Sequence, residues 1–394
     1  MTLDNYLQLD IDGKEAYIHK DSIDPLREVT TVLFDCDGVL IDARESYNRS
    51  ISRTISYLSS EILKTPLPED EITDKVIYGF RKSGGFNNDW DTTYVILLYL
   101  FTKIPKKVVD IYSKLSNRVG TQRGAYKRVS EAKKMLSGVK ISDESFSNIS
   151  KNLLKLSEKA DSRGIVSILE VLPKINDGRA LAGFKKVMAY PDKVGASTIT
   201  TLFEEFFLGS DLFSEKYGFP SEFLDKFPGL VSREVPIVTE DTMDILAEIF
   251  ERSNFGIVSG RSRLTAEFTL GSLLNRFNTD LTLFIDDEIS SAYNRGDTEK
   301  LVKLRKPHPY ILLKVEENTL QSGRILYIGD SMEDLIMVEQ SNHFMDRFIT
   351  AGVYGYSHNP KELVKMFTES EAYLIVESVN DIPILFEKIM MGKL

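Results

Sequence analysis

The sequence predicts an α/β protein: a doubly wound, Rossmann-like parallel sheet interrupted by a large all-helical insert. Three observations lead there. Short apolar runs of the kind that form strands buried on both faces recur along the chain. Helical periodicities separate those runs in the C-terminal half, as alternating strand and helix require. Between the first run and the second lies a long stretch, residues 44–233, with helical spacing and almost no strand signal.

The elements follow in chain order. Alternating polarity on both sides of Asp12-Gly13 predicts a hairpin over residues 7–18, and residues 1–25 read as an extension or edge cover of the sheet. The first buried strand is residues 30–35, an apolar run that ends in acid. Tyr47, Ile51, Ile55, Leu58 and Ile62 then recur at helical spacing, with Asp42 and Glu45 as a capping pair ahead of them. Further helical patterns cover residues 92–101, 108–115, 146–156, 165–172 and 199–208. Strand runs return at 255–259, 281–285, 324–328, 348–353 and 372–376, separated by helical patterns at 264–274, 310–315, 333–340 and 360–367. The core is therefore read as residues 1–43 plus 234–394, with 44–233 inserted into it.

Composition narrows the class. With 394 residues, 42% hydrophobic and 27% charged, the chain has the balance of a globular protein and exceeds one ordinary core. A formal charge of -10 disfavours bulk nucleic-acid binding, because phosphate would be repelled by most of the surface. The single cysteine, Cys36, excludes an intramolecular disulfide, and four scattered histidines offer no structural zinc site. No secretory leader pattern opens the sequence, and the longest apolar run, residues 95–101, is far short of the roughly 18 residues of a membrane helix. A cytoplasmic location without membrane attachment is expected.

In such a sheet, side chains at the carboxyl ends of neighbouring strands converge on one crevice. Three runs end in residues suited to phosphate chemistry: Asp35-Cys36-Asp37-Gly38-Val39, Ser259-Gly260-Arg261, and Gly329-Asp330-Ser331-Met332-Glu333-Asp334. Lys306 lies between the last two and precedes a proline that biases it towards an extended conformation. Carboxylates gathered from two strands make an oxygen-rich pocket of the sort Mg²⁺ occupies. A carboxylate there can attack phosphorus. Lys306, Ser259 and the backbone N–H of Gly260 would stabilise the equatorial oxygens, and Asp37 could protonate a leaving alkoxide and later activate water. Taken singly, Asp-x-Asp is a common turn sequence, Gly-Asp before a helix is often a cap, and Lys-Pro is usually a solvated charge. Their joint order is what carries weight.

Order and content together resemble the haloacid dehalogenase-like superfamily of phosphohydrolases, over the core rather than the insert. The resemblance implies Asp35 as nucleophile, Asp37 as acid/base, Ser259, Gly260 and Lys306 as phosphate binders, and Mg²⁺ held by Asp35, the carbonyl of Asp37 and Asp330, with Asp334 as a ligand or its supporting partner. An insert directly after the first motif resembles the helical cap of the phosphoglycolate-phosphatase-like and β-phosphoglucomutase-like branch, though it is much longer than the usual cap. The expected function is hydrolysis of a small phosphorylated metabolite through an aspartyl-phosphate. A sugar phosphomutase with the same residues is the alternative, and a binding protein with a vestigial core is a third reading.

Three stretches of the insert stand out. Lys82 to Asp91 strings glycines, amides, acids and the only tryptophan ahead of an apolar helix, and it is similar to a segment of a little-characterised subgroup of these hydrolases. Asn87, Asn88 and Asp89 are the candidates there for reading the substrate, against the plainer role of helix capping. Residues 103–140 are rich in Lys and Arg, which reads as a solvated helix face or, alternatively, a polyanion site. Residues 178–185 imitate a phosphate-binding loop, but the lysine is misplaced and the hydroxyl is absent.

Overall fold

The computed structural model describes residues 3–86, 88–118, 124–139, 148–173, 177–251, 254–295, 300 and 303–393. The chain divides into two compact units, Met1–Arg44 with Glu234–Leu394, and Glu45–Arg233.

The described residues of the first unit form ten strands: β1 (Tyr6–Ile11), β2 (Lys14–His19), β3 (Val29–Phe34), β4 (Ile41–Asp42), β5 (Val235–Pro236), β6 (Phe255–Ser259), β7 (Leu283–Phe284), β8 (Arg324–Gly329), β9 (Phe348–Val353) and β10 (Leu374–Val376). Eight of them form one sheet in the order β1-β2-β10-β9-β8-β3-β6-β7, and β4 pairs with β5 in a separate ribbon. From β10 to β7 every pairing is parallel. The apolar runs account for this: Val32, Leu33, Phe34, Ile325, Leu326 and Ile328 have no exposed surface, as strands covered by helices on both faces require. The N-terminal hairpin turns at Asp12 and Gly13, both with positive φ (52° and 84°), the requirement of a two-residue turn matched to strand twist. Its second strand adds antiparallel to β10, so the hairpin extends the sheet.

Among the expected elements that come out shorter, two have a visible cause. The strand over residues 281–285 contracts to Leu283–Phe284. The Thr282 hydroxyl accepts the Ile257 N–H at 3.3 Å, so the parallel ladder begins only at Val258, while Asp286, Asp287 and Glu288 favour a helix N-terminus from Ile285 onward. The helix over residues 264–274 closes at Leu270, where Gly271 (φ 54°) turns the chain into a 3₁₀ segment.

The second unit has only helical elements among its described residues. The helix beginning at Tyr47 runs to Leu58 and continues as a π turn to Leu63. Its expected capping pair is used otherwise: Asp42 binds Arg44 at 2.6 Å and Glu45 binds Arg49 at 2.6 Å. The last helix extends past residue 208 to Tyr217 with a break at Gly209 (φ 76°), where the backbone meets that of Gly229 so closely that a Cβ would collide. Residues 178–185 open a helix, Gly178–Met188, capped by Asp177, which disposes of the phosphate-loop imitation. At the centre Phe101 packs on Tyr112 and Phe184, with ring centroids at 5.0 and 4.5 Å. No helix among the described residues is long and apolar enough to cross a membrane.

Glu205, without exposed surface, accepts the N–H groups of Glu222, Phe223 and Leu224, each at 2.9 Å. Removing that carboxylate strands three donors, and a loss of about 1–3 kcal/mol follows. Glu205→Ala is expected to lower Tm by several degrees in a thermal melt, and Glu205→Gln, which keeps an acceptor, by less.

Candidate functional site

Register brings the motifs level. Phe34 of β3 pairs with Ile328 of β8 and Ile257 of β6, so the residues that follow all three emerge at one end of the sheet. The Asp35 N–H still donates to the Ile328 carbonyl at 2.9 Å, after which the chain leaves the sheet. The Cys36 carbonyl gathers the N–H groups of Val39, Leu40 and Ile41 at 3.2, 2.7 and 2.8 Å, folding residues 36–41 into a tight turn. Gly38 sits there with φ 73°, and a Cβ would overlap Asp330 Oδ2. Only glycine lets this turn lie against the β8 acid.

Lys306 joins the strand ends. Its Nζ lies 2.9 Å from Asp35 Oδ2, 2.8 Å from Asp334 Oδ1 and 2.9 Å from the Tyr327 hydroxyl. Asp334 is fully buried at the start of the helix Met332–Asn342, where its Oδ2 accepts from the Ser331 hydroxyl at 2.6 Å and the Ser331 N–H at 3.2 Å in a capping box. Its Oδ1 is shared by Lys306 and, at 3.1 Å, Tyr327. Both Asp334 oxygens are thus engaged by the protein. Among the described residues none donates a hydrogen bond to Asp330, and a ligand oxygen from each of Asp35, Asp330 and Asp334 lies within 4.8 Å of the others.

Electrostatics express that crowding. Burial, opposed by Lys306 and reinforced by Asp334 and Asp37, pushes the Asp35 carboxyl up to about 6. Burial, then Asp334 and Asp35, raises Asp330 well above the usual carboxylate range. Burial works against the Lys306 ammonium, but Asp334 and Asp35 more than offset it and keep Lys306 charged. The donor set is hard oxygen in negative excess over one ammonium, which fits a small divalent cation better than any soft metal.

The other motif residues fall around this cluster. Ser259 ends β6, buried, and its hydroxyl accepts the Arg261 N–H at 3.4 Å. Gly260 is exposed, and a Cβ on it would meet nothing within 4 Å. Cys36 is buried, and burial pushes its thiol far above the usual range, so it packs rather than reacts.

Sequence reasoning assigned nothing to Arg261, Glu234 or Tyr327. The Arg261 and Glu234 side chains have no exposed surface; Arg261 Nη2 donates to Glu234 Oε1 and Oε2 at 3.0 and 2.8 Å, and Nη1 lies 3.4 Å from Asp37 Oδ1. A charged residue directly after Ser259-Gly260, at a strand end, was a usable signal. Tyr327 was legible as the one hydroxyl in an apolar strand, since a buried hydroxyl needs partners. Nothing marks Glu234 in the sequence.

Of the insert candidates, Asn88 caps the helix Asp89–Phe101 through the Trp90 N–H at 2.9 Å, and Asp89 pairs with Arg81 at 2.7 Å. Asn87 lies outside the described residues. Two charges of the basic stretch are engaged within the unit: Arg128 is buried and donates to the Val187 and Ala196 carbonyls, and Lys133 pairs with Glu61 at 2.6 Å.

Comparison with known proteins bears on the fold. No protein-family model and no curated protein matches the sequence. A structure solved as target ZR25 of the Northeast Structural Genomics Consortium is similar with TM-score 0.60 and 15% identity, over 92% of this chain and 100% of that one. Phosphatase Tt82 from Thermococcus thioreducens aligns with TM-score 0.47 and 20% identity, over 86% of this chain and 98% of that one. The first establishes a shared mixed α/β fold.

A raised carboxylate pKa means that stability falls as pH rises from the usual carboxylate range towards the raised value. At pH 8 the metal-free protein is therefore expected to gain a few degrees of Tm from Asp330→Asn, where about 1 kcal/mol corresponds to roughly 2–4 °C. Millimolar Mg²⁺ should raise the wild-type Tm by mass action and leave the variant's unchanged. Melting curves with and without Mg²⁺ check both signs.

Proposed function

We propose that the protein is a Mg²⁺-dependent phosphomonoesterase of the haloacid dehalogenase-like type, acting on a small phosphorylated metabolite in the cytoplasm. What carries this reading is one observation: Asp35, Ser259 and Asp330 leave the ends of three adjacent parallel strands, and Lys306 reaches in to bond Asp35.

In the proposed reaction an Asp35 oxygen attacks phosphorus, and the bond to the ester oxygen breaks. Asp37 gives its proton to the departing alkoxide. The ionised Asp37 then takes a proton from water, whose oxygen attacks the aspartyl-phosphate and releases inorganic phosphate and Asp35. Lys306, the Ser259 hydroxyl and the Gly260 N–H receive the equatorial oxygens as charge spreads over them. Lys306 also holds Asp35 by an ion pair, which fixes the direction of attack. Asp35, the Asp37 carbonyl and Asp330 would hold Mg²⁺, which offsets the repulsion between carboxylate and phosphate when bound. Asp334 acts through Lys306, because both of its oxygens are already taken.

Phosphate release from sugar, polyol, nucleotide and short-acid phosphates with Mg²⁺ is the direct test. Asp35→Asn, nearly isosteric, is expected to keep its Tm and lose more than about a thousandfold in kcat. A variant retaining a tenth of wild-type turnover would refute the covalent route. Asp37→Asn should damage alkyl phosphates far more than aryl phosphates, whose leaving groups need no proton.

A further inference from the structure

A guanidinium with no exposed surface lies beside Asp37, and nothing in the reaction above uses it. Its surroundings form a chain of contacts. The Thr269 hydroxyl donates to Glu234 Oε2 at 2.9 Å, Glu234 receives Arg261 Nη2 on both oxygens, and Arg261 Nη1 stands 3.4 Å from Asp37 Oδ1. Glu234 immediately precedes β5, and β5 pairs with β4, the strand into which the Asp37 turn runs. Arg261 thus links the two chain segments of the ribbon, hydrogen-bonded to Glu234 on one and ion-paired with Asp37 on the other.

A buried ion pair is not an efficient way to stabilise this corner. Apolar side chains of similar volume would serve as well or better, since two charges have lost their hydration. What an apolar pair cannot do is hold a carboxylate. Asp37 needs holding, because its side chain keeps 36% of its surface exposed and it lies in a turn rather than a strand. Left to solvent, it would sample several rotamers, of which few face a leaving group.

We infer that Arg261, anchored by Glu234 and Thr269, is a positioning residue for Asp37: its charge, 3.4 Å from Oδ1, draws that oxygen inward and so presents Oδ2 to the oxygen of the departing alcohol. Lysine cannot replace it, since a single ammonium cannot span Glu234 and Asp37 in the fixed planar geometry of the guanidinium. The inference rests on the phosphatase reading, in which Asp37 is the proton donor.

The experiment is a double-mutant cycle on the full chain. Wild type, Arg261→Lys, Asp37→Asn and the double variant are assayed with an alkyl phosphate and with 4-nitrophenyl phosphate, beside thermal melts. Arg261→Lys is expected to lower kcat/KM for the alkyl ester by roughly tenfold to a hundredfold and for the aryl ester by much less. In the Asp37→Asn background the same change should alter alkyl turnover by less than about twofold, because the group it positions is already gone. Additive losses, or equal losses on both esters, would overturn the inference and assign Arg261 to structure alone. Should Arg261→Lys not fold, Glu234→Gln loosens the anchor while leaving the guanidinium, and the same cycle applies with the same refuting result. A wild-type protein that hydrolyses neither ester marks failure of the phosphatase reading itself, a result distinct from additivity in an active enzyme.

Discussion

One ammonium group lies between two buried carboxylates, and the character of the whole crevice depends on it. Without Lys306, Asp35 and Asp334 would face each other across a few ångströms of low-dielectric interior, a repulsion of several kcal/mol. The arrangement is asymmetric in a way that assigns labour. Asp334 is locked by the Ser331 cap and by Tyr327, so Lys306 is pinned from that side. Asp35 is held by the same ammonium but stands at the strand end with 11% of its side chain exposed, where Asp334 has none. One carboxylate fixes the lysine, and the lysine fixes the other carboxylate.

Such a cluster is costly in itself, and the sheet beneath it supplies the stability that offsets the cost. β3 and β8 are apolar and without exposed surface through the residues just before the acids. The transition from a fully buried strand to an acid takes one peptide from Phe34 to Asp35 and two from Ile328, across Gly329, to Asp330. Backbone pairing continues to the edge of the site, as the Asp35 N–H bond to Ile328 records, so the acids are placed by the ladder rather than by a loop. Gly38 then brings the turn against Asp330 at a separation no side chain would allow.

The parts legible in the sequence were those with a local signature. Strand runs ending in acid located Asp35 and Asp330, and the Asp12-Gly13 pair located the hairpin, because buried parallel strands and tight turns impose composition on a few consecutive residues. Lys306 was legible by its order among the motifs. What escaped depends on contacts distant in sequence. The Arg261 and Glu234 pair spans 27 positions with no pattern linking them. β7 lost most of its expected length to one side-chain hydroxyl intercepting a ladder donor, a competition that hydropathy does not register. In the insert, the acid and amides before the apolar helix looked like binding groups, but Asn88 and Asp89 are engaged by a helix N-terminus and by Arg81, which single-chain pattern reading cannot separate from ligand contacts.

The division of the core sequence also has a physical explanation. The first unit loses the chain at Arg44 and regains it at Glu234, and the antiparallel ribbon brings Ile41 opposite Pro236 and Asp42 opposite Val235 just inside those points. An insertion whose two ends are already adjacent need not distort its host. Its entropic cost grows only with the logarithm of its length, so a long insert is scarcely worse than a short one. The insert in turn carries its own aromatic core around Phe101, Tyr112 and Phe184, so its order does not have to be borrowed from the sheet. The ribbon is then the element on which both requirements meet. It must close the core across the interruption, and it must do so within a few residues of Asp37, so any group that rigidifies it also fixes the geometry of the candidate acid.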